Sequence, residues 1–209
     1  MTEPATKPRS RDRLLAAAIN VIRQKGYSAT RIEDICAAAG VTKGSFFHHF
    51  ASKDELAHAA TAAWNQMAEK RFADSGYRGL PDPRDRLLAY VALRKEILSG
   101  DVWDTTCLLG TMVQDTYLTH PDLGIACAAG ISLHIATLVP DADAAVALYG
   151  RAGDWTGQSL ADYIQAVVQG ALVLAKADGN FTRALRCFDH LHNYLTLVFH
   201  QPLKQELTS

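Results

Sequence analysis

Residues 30–55 read TRIEDICAAAGVTKGSFFHHFASKDE, and the reading of this stretch decides the fold. Ile32, Ile35 and Ala39 fall at i, i+3 and i+7, one apolar face of a short helix over about 31–39. Thr30 stands where an N-cap would, and Glu33 three residues on completes a capping box. Gly40 marks the stop, because glycine accepts left-handed backbone at little cost. Val41 is expected to bury itself in the turn, and Thr42 to cap a second helix from Lys43 to about Phe50. Ser52 and Glu55 make a second capping box at the head of a third helix. Helix, glycine-bearing turn and helix form the plan by which a second helix enters the major groove of duplex DNA.

The residue types suit that use. Thr42, Lys43, Ser45, His48 and His49 give the second helix a donor-rich face. Gly44 lets a phosphate approach the backbone, while Phe46 and Phe50 look back into a core. A helical hairpin in an ordinary bundle would share the periodicity, but it needs neither two caps nor a polar helix interleaved with aromatics. The wider pattern is Gly26-Tyr27, Thr30, ICAAAGV at 35–41, GSFFHHF at 44–50 and KDEL at 53–56. Over Arg9 to about Met67 it resembles the tetracycline-repressor (TetR) family of transcriptional regulators. The resemblance implies an all-α fold: a three-helix helix-turn-helix domain, then a helical-bundle domain for ligand binding and dimerisation. It implies that Thr42 and Lys53 hold phosphates and that Lys43, Ser45, Phe47 and His48 face bases or sugar. Arg31, Gly44 and His49 complete the expected DNA surface. The family usually carries tyrosine where Phe47 stands, its hydroxyl bonding a phosphate, and Phe47 cannot make that bond.

Working outward, 209 residues with 48% hydrophobic content suit one or two helical domains with a real core. No apolar run of about 18 residues is evident, so no membrane span is expected. The N-terminus shows no signal-peptide core. Cys36, Cys107, Cys127 and Cys187 are scattered, which argues against structural zinc and for a reducing, cytoplasmic setting. The net charge of −1 conceals an asymmetry. Residues 1–55 hold nine Lys and Arg against six Asp and Glu, net +3; the remainder holds 12 against 16, net −4. A basic head on an acidic body is expected when only one domain meets phosphate.

Residues 1–8 read as a disordered basic tail, either solvated or reaching an adjacent minor groove, and 9–69 as the DNA-binding domain. Its first helix runs over about 11–25, with Leu15, Ala18 and Ile22 inward. Its last runs over about 53–73, with Leu56, Ala60, Ala63 and Met67 inward. Gly, Pro and Asp at 76–83 mark a boundary, and 77–203 is the ligand-binding and dimerisation domain. There Asp82 caps and Pro83 opens a helix to about Ser99. A link at 101–106, helices over 106–117 and 121–138, and a loop with one short helix at 139–155 come next. Two long helices follow, over about 158–177 and 182–199. The short turn at Asp178-Gly179-Asn180 makes that last pair antiparallel. Both helices are apolar on more than one face, so Val168, Leu172, Phe188, Leu191 and Leu195 are expected at a homodimer interface.

The helix beginning Cys107-Leu108-Leu109-Gly110 resembles a subset of TetR-type regulators, whose body holds an apolar cavity for a small inducer. Bulk combined with a polar tip points to Trp103, Cys107, Thr111, Met112, Asp115, His134, Trp155 and Gln165 as ligand-binding residues. For each, core packing is the plain alternative. Some regulators of this subset sense electrophiles or oxidants through the cysteine, and Cys107 near a helix N-terminus would have its thiolate favoured. Asp101 and Asp104 oppose that, and an inert buried thiol is the alternative. Cys107, Asp115, His120 and His134 would make a thiol hydrolase or a metal site only if folding converged them. No spacing in the sequence demands it, so no catalytic residue, metal or cofactor is expected. The expected partners are a double-stranded, near-palindromic operator, a small apolar or amphipathic inducer and a second copy of the chain.

Overall fold

A computed structural model describes residues 9–150 and 155–200. The expected tail at 1–8, and residues 201–203 of the expected body, lie outside the described residues. Among those described, every regular element is helical. The described residues form two compact units: 9–67 with 107–130, and 68–106 with 131–150 and 155–200.

The first unit holds α1 (Ser10–Lys25), α2 (Ile32–Ala39), α3 (Lys43–His49), the first part of α4 (Lys53–Asp74), α7 (Leu108–Thr116) and the first part of α8 (Pro121–Ala136). Leu14, Ala18 and Ile22 of α1 meet Ile35 of α2, Phe46 of α3 and Leu56 and Ala60 of α4 in a core from which solvent is almost excluded. Fully burying one such aliphatic or aromatic side chain contributes roughly 1.5–3 kcal/mol. Phe50 and Tyr27 close the same core. Three inward assignments differ. Met67 is 58% exposed, and Val41 and Ala63 are half-buried rather than enclosed. The segment 107–130, which the sequence reading puts in the body, packs with the head, and α7 lies against α1.

The second unit holds the end of α4, a 3-10 turn (Tyr77–Gly79), α5 (Pro83–Ile97), α6 (Val102–Thr105), the end of α8, α9 (Val139–Tyr149), α10 (Gly157–Asp178) and α11 (Thr182–Val198). Asp82 caps α5 through a 2.8 Å bond from Arg84 N, with Pro83 in the first turn, as its sequence dictates. The expected link at 101–106 contains α6, and the expected loop at 139–155 is mostly α9. Leu138, Ala142 and Ala145 of that region are buried, so packing overrides its turn-like composition. Helices α5, α9, α10 and α11 pack on one another.

That packing corrects the dimer assignment. Val168, Leu172, Phe188, Leu191 and Leu195 are all buried inside a single chain, as are Ile164 and Ala171. They are core residues, because the face they share meets the chain's own helices. Residues 121–149 are also more apolar than expected: an 18-residue window within them has a mean hydropathy of 1.8, with 28% of that window buried. The stretch 121–149 is broken at Thr137-Leu138 into helices of 16 and 11 residues. Each is shorter than the roughly 20 residues that cross a bilayer.

Candidate nucleic-acid interface

The helix-turn-helix is held by contacts that differ in detail from the expected caps. Asp34, not Glu33, accepts from the backbone N–H at the head of α2, that of Arg31, at 2.9 Å. Thr30 lies one residue too early to cap. Its hydroxyl is buried and donates to the Gly26 carbonyl at 2.6 Å. Gly40 ends α2 in left-handed backbone (φ 61°), and its carbonyl accepts from Arg13 Nη2 at 2.7 Å. Thr42 Oγ1 caps α3 by accepting from Ser45 N at 3.1 Å. Ser52 Oγ accepts from Glu55 N at 3.0 Å, while the Glu55 carboxylate accepts from Ala51 N at 2.7 Å.

These bonds fix what α3 can offer. The Thr42 hydroxyl accepts inward, which leaves its O–H free to donate outward. Phe47 is 53% exposed, whereas Phe46 beside it is fully buried. Lys43 and His48 are exposed, and Ser45 and His49 are half-buried. Lys43 is paired with Glu33 at 2.5 Å, both side chains more than half in solvent. A pair so exposed is screened by solvent, adds little to stability and can yield to a phosphate. A Cβ added at Gly44 would meet only Thr42 Oγ1 at 3.7 Å, so nothing within the chain demands glycine there. Lys53 is half-buried: its ammonium donates to the carbonyls of Tyr27 (3.1 Å) and Thr30 (3.0 Å) and sits 4.1 Å from the Tyr27 ring centre. Of its three N–H groups, one remains for a phosphate. The Tyr27 hydroxyl bonds Asp54; burial first, then that carboxylate, pushes its ionisation upward.

The expected ligand residues fall into two groups. Cys107, Thr111, Met112 and Asp115 belong to the first unit; Trp103, His134, Trp155 and Gln165 belong to the second. Met112 is fully buried, while Trp103 and Trp155 are largely exposed. Asp115 is engaged elsewhere: its two carboxylate oxygens accept from Ser28 N and Ser28 Oγ, each at 2.8 Å, in the turn between α1 and α2. Cys107 caps α7, its sulfur accepting from Gly110 N at 3.4 Å. His134 bonds Tyr90 and Arg94, and His120 stacks edge-on against Tyr27. Gln165 is 5% exposed, and its carbonyl oxygen has no hydrogen-bond partner among the described residues. The sequence reading missed Tyr90, Arg94 and Phe72 around His134; Tyr90 and Arg94, one helical turn apart on α5, were the available signal.

A short polar helix presented at the end of a glycine turn, on a buried three-helix core, defines a DNA-binding domain of the helix-turn-helix class. Residues 14–60 match the family model described as bacterial regulatory proteins, tetR family. The HTH-type transcriptional regulator CymR of Pseudomonas putida is 47% identical over 60 residues, 28% of this chain and 29% of CymR. The HTH-type transcriptional repressor NemR of Escherichia coli K12 is 31% identical over 85 residues, 41% of this chain and 43% of NemR. The chain thus spans less than half the length of these relatives. Among solved structures, a TetR transcriptional regulator from Chloroflexus aurantiacus superposes with a TM-score of 0.73 at 28% identity, covering 90% of this chain and 94% of that one. The reduced form of Escherichia coli NemR gives 0.73 at 22% identity, covering 93% and 100%, and shows the shared fold.

Proposed function

We propose that this protein is a homodimeric transcriptional repressor that leaves a near-palindromic operator when a small apolar or amphipathic effector binds its body. The observation that carries the reading is α3. It presents Lys43, Gly44, Phe47 and His48 outward from a rigid core, with Thr42 and Lys53 each keeping one donor for a phosphate. Arg31, Ser45 and His49 flank that surface. Two copies would place two such helices one turn of DNA apart, which explains an operator with two-fold symmetry. The effector would act by favouring a state whose recognition helices no longer match that spacing. Relatives named as transcriptional regulator and repressor support regulation rather than catalysis.

Dimerisation is assigned to the outward faces of α10 and α11. Tyr163, Ala166, Gly170 and Val173 line one side of α10, and Tyr194 and Leu197 one side of α11, all exposed. Tyr163 and Tyr194 stack with ring centres 5.1 Å apart, which joins the two faces.

The test is selection of duplexes from a random pool by the full-length protein. Recovery of an inverted repeat, bound with strong salt dependence, is the expected result. A pool that never enriches would refute the reading. A second reading, in which Cys107 senses electrophiles or oxidants, draws on its place as the half-exposed cap of α7. Cys107→Ser separates the two by fluorescence anisotropy on the selected duplex. Under reversible binding, the variant releases DNA at the same effector concentration as the wild type. Under thiol sensing, it stays bound when the electrophile is added.

A further inference from the structure

Around the end of α5, two guanidinium groups, those of Arg94 and Arg78, have no carboxylate partner among the described residues. Arg94 Nε donates to the Tyr90 hydroxyl at 2.9 Å, and Arg94 Nη2 lies 2.7 Å from His134 Nε2. The same imidazole nitrogen is 2.8 Å from the Tyr90 hydroxyl. A guanidinium nitrogen only donates, so Nε2 must accept, and His134 carries its proton on Nδ1. The ring is therefore neutral. Burial first, then the charges of Arg94 and Arg78, push its pKa down to about 3. Arg94 also lies over the rings of Phe72 (4.5 Å) and Tyr90 (5.1 Å), and Phe72 packs 4.9 Å from His134. Arg78, on the 3-10 turn, donates to the Tyr77 hydroxyl at 3.2 Å.

Elsewhere in the same unit Arg84, Arg86, Lys95 and Arg183 each pair with an aspartate. Arg94 is half-buried, and its only polar contacts among the described residues are a phenol and a neutral imidazole. Withdrawing a cation from water without a counter-charge is costly, and an arriving anion removes that cost. A planar guanidinium offers a carboxylate two parallel N–H bonds. Arg78 bonds the Tyr77 hydroxyl, so Arg94 is the cation in contact with the neutral ring, and one such cation suits a monoanion better than a dianion.

We infer that Arg94, held in place by His134 and Tyr90, forms the anion-binding end of the effector site, and that the effector is a carboxylate with an apolar or aromatic body. The inference rests on reading the chain as an effector-responsive regulator. The probe is benzoate, compared with its neutral isostere benzamide and with inorganic phosphate, titrated into the full-length protein and followed by NMR. The His134 ring resonance is assigned by its loss in His134→Gln. The expected result is benzoate binding at least tenfold tighter than benzamide and a moving His134 resonance. Arg94→Gln should lose at least tenfold in benzoate affinity, and Arg94→Lys should recover part of it. Urea unfolding of each variant establishes that it is folded; should Arg94→Gln unfold, Arg94→Lys carries the comparison. Equal binding of benzamide, tighter binding of phosphate, or an unchanged affinity in the folded Arg94 variants would overturn the assignment. Anisotropy on the selected duplex reads the parent proposal separately. Benzoate that binds through Arg94 yet leaves DNA binding untouched would sustain the anion site and sink its role as effector site.

Discussion

Lys53 serves two ends with one nitrogen. Its bonds to the Tyr27 and Thr30 carbonyls tie the start of α4 to the turn before α2, and its remaining N–H faces outward. Lys53→Ala should therefore cost stability, on the order of 1–3 kcal/mol for hydrogen bonds to a charged group. It should also lower the salt slope of DNA binding by roughly one. Urea unfolding and affinities at several salt concentrations read the two effects independently; an unchanged slope would make Lys53 structural alone. Gly44 supplies the converse case. Alanine is roughly 1 kcal/mol better than glycine inside a helix, and the chain has room for the added methyl. Gly44→Ala should thus raise the unfolding midpoint while weakening DNA binding, because the proposed reading gives that space to a phosphate. A variant that is more stable and binds as well as the wild type would show that the phosphate keeps its distance.

At the scale of elements, α7 reaches the recognition machinery through Asp115. Burial alone would raise this carboxyl, but the bonds from Ser28 and the backbone, with the charge of Lys53, hold it below the usual carboxylate range. A folded value below the unfolded one means the clasp stabilises fully above the ordinary aspartate value of about 3.9. That contribution is lost as pH falls through the lower folded value. Asp115→Asn keeps the shape but cannot accept twice from Ser28. Its urea midpoint should fall at neutral pH, and the acid limb of the midpoint-against-pH curve should flatten. An acid limb identical to that of the wild type would show that other carboxylates carry it.

At the scale of the molecule, the buried and exposed faces of the last two helices make opposite predictions. Leu195 is fully enclosed, so Leu195→Glu buries an unpaired charge in a fold whose whole stability is about 5–15 kcal/mol. It should yield unfolded or aggregated protein. Leu197 is 76% exposed, so Leu197→Glu should leave circular dichroism intact and convert a dimer to a folded monomer with weakened operator binding. Light scattering that reports a dimer for Leu197→Glu would move the interface off α11.

The sequence by itself determined the all-helical class and the recognition module. Those rest on local signals: the apolar spacing of Ile32, Ile35 and Ala39, the left-handed glycine at 40, the Thr42 cap, and the polar helix behind it. Such signals act within a few residues, so they are legible without the rest of the chain. Which residue caps α2 was less legible, because Glu33 and Asp34 are one position apart and only the backbone entry angle chooses between them. Only tertiary structure decided which face of α10 and α11 is core, since apolar periodicity marks what must be buried and not what buries it. Only tertiary structure joined residues 107–130 to the head and brought Arg94 of α5 against His134 of α8. Contacts between residues so far apart in sequence leave no periodicity to read, because neither residue changes the local pattern in which it sits.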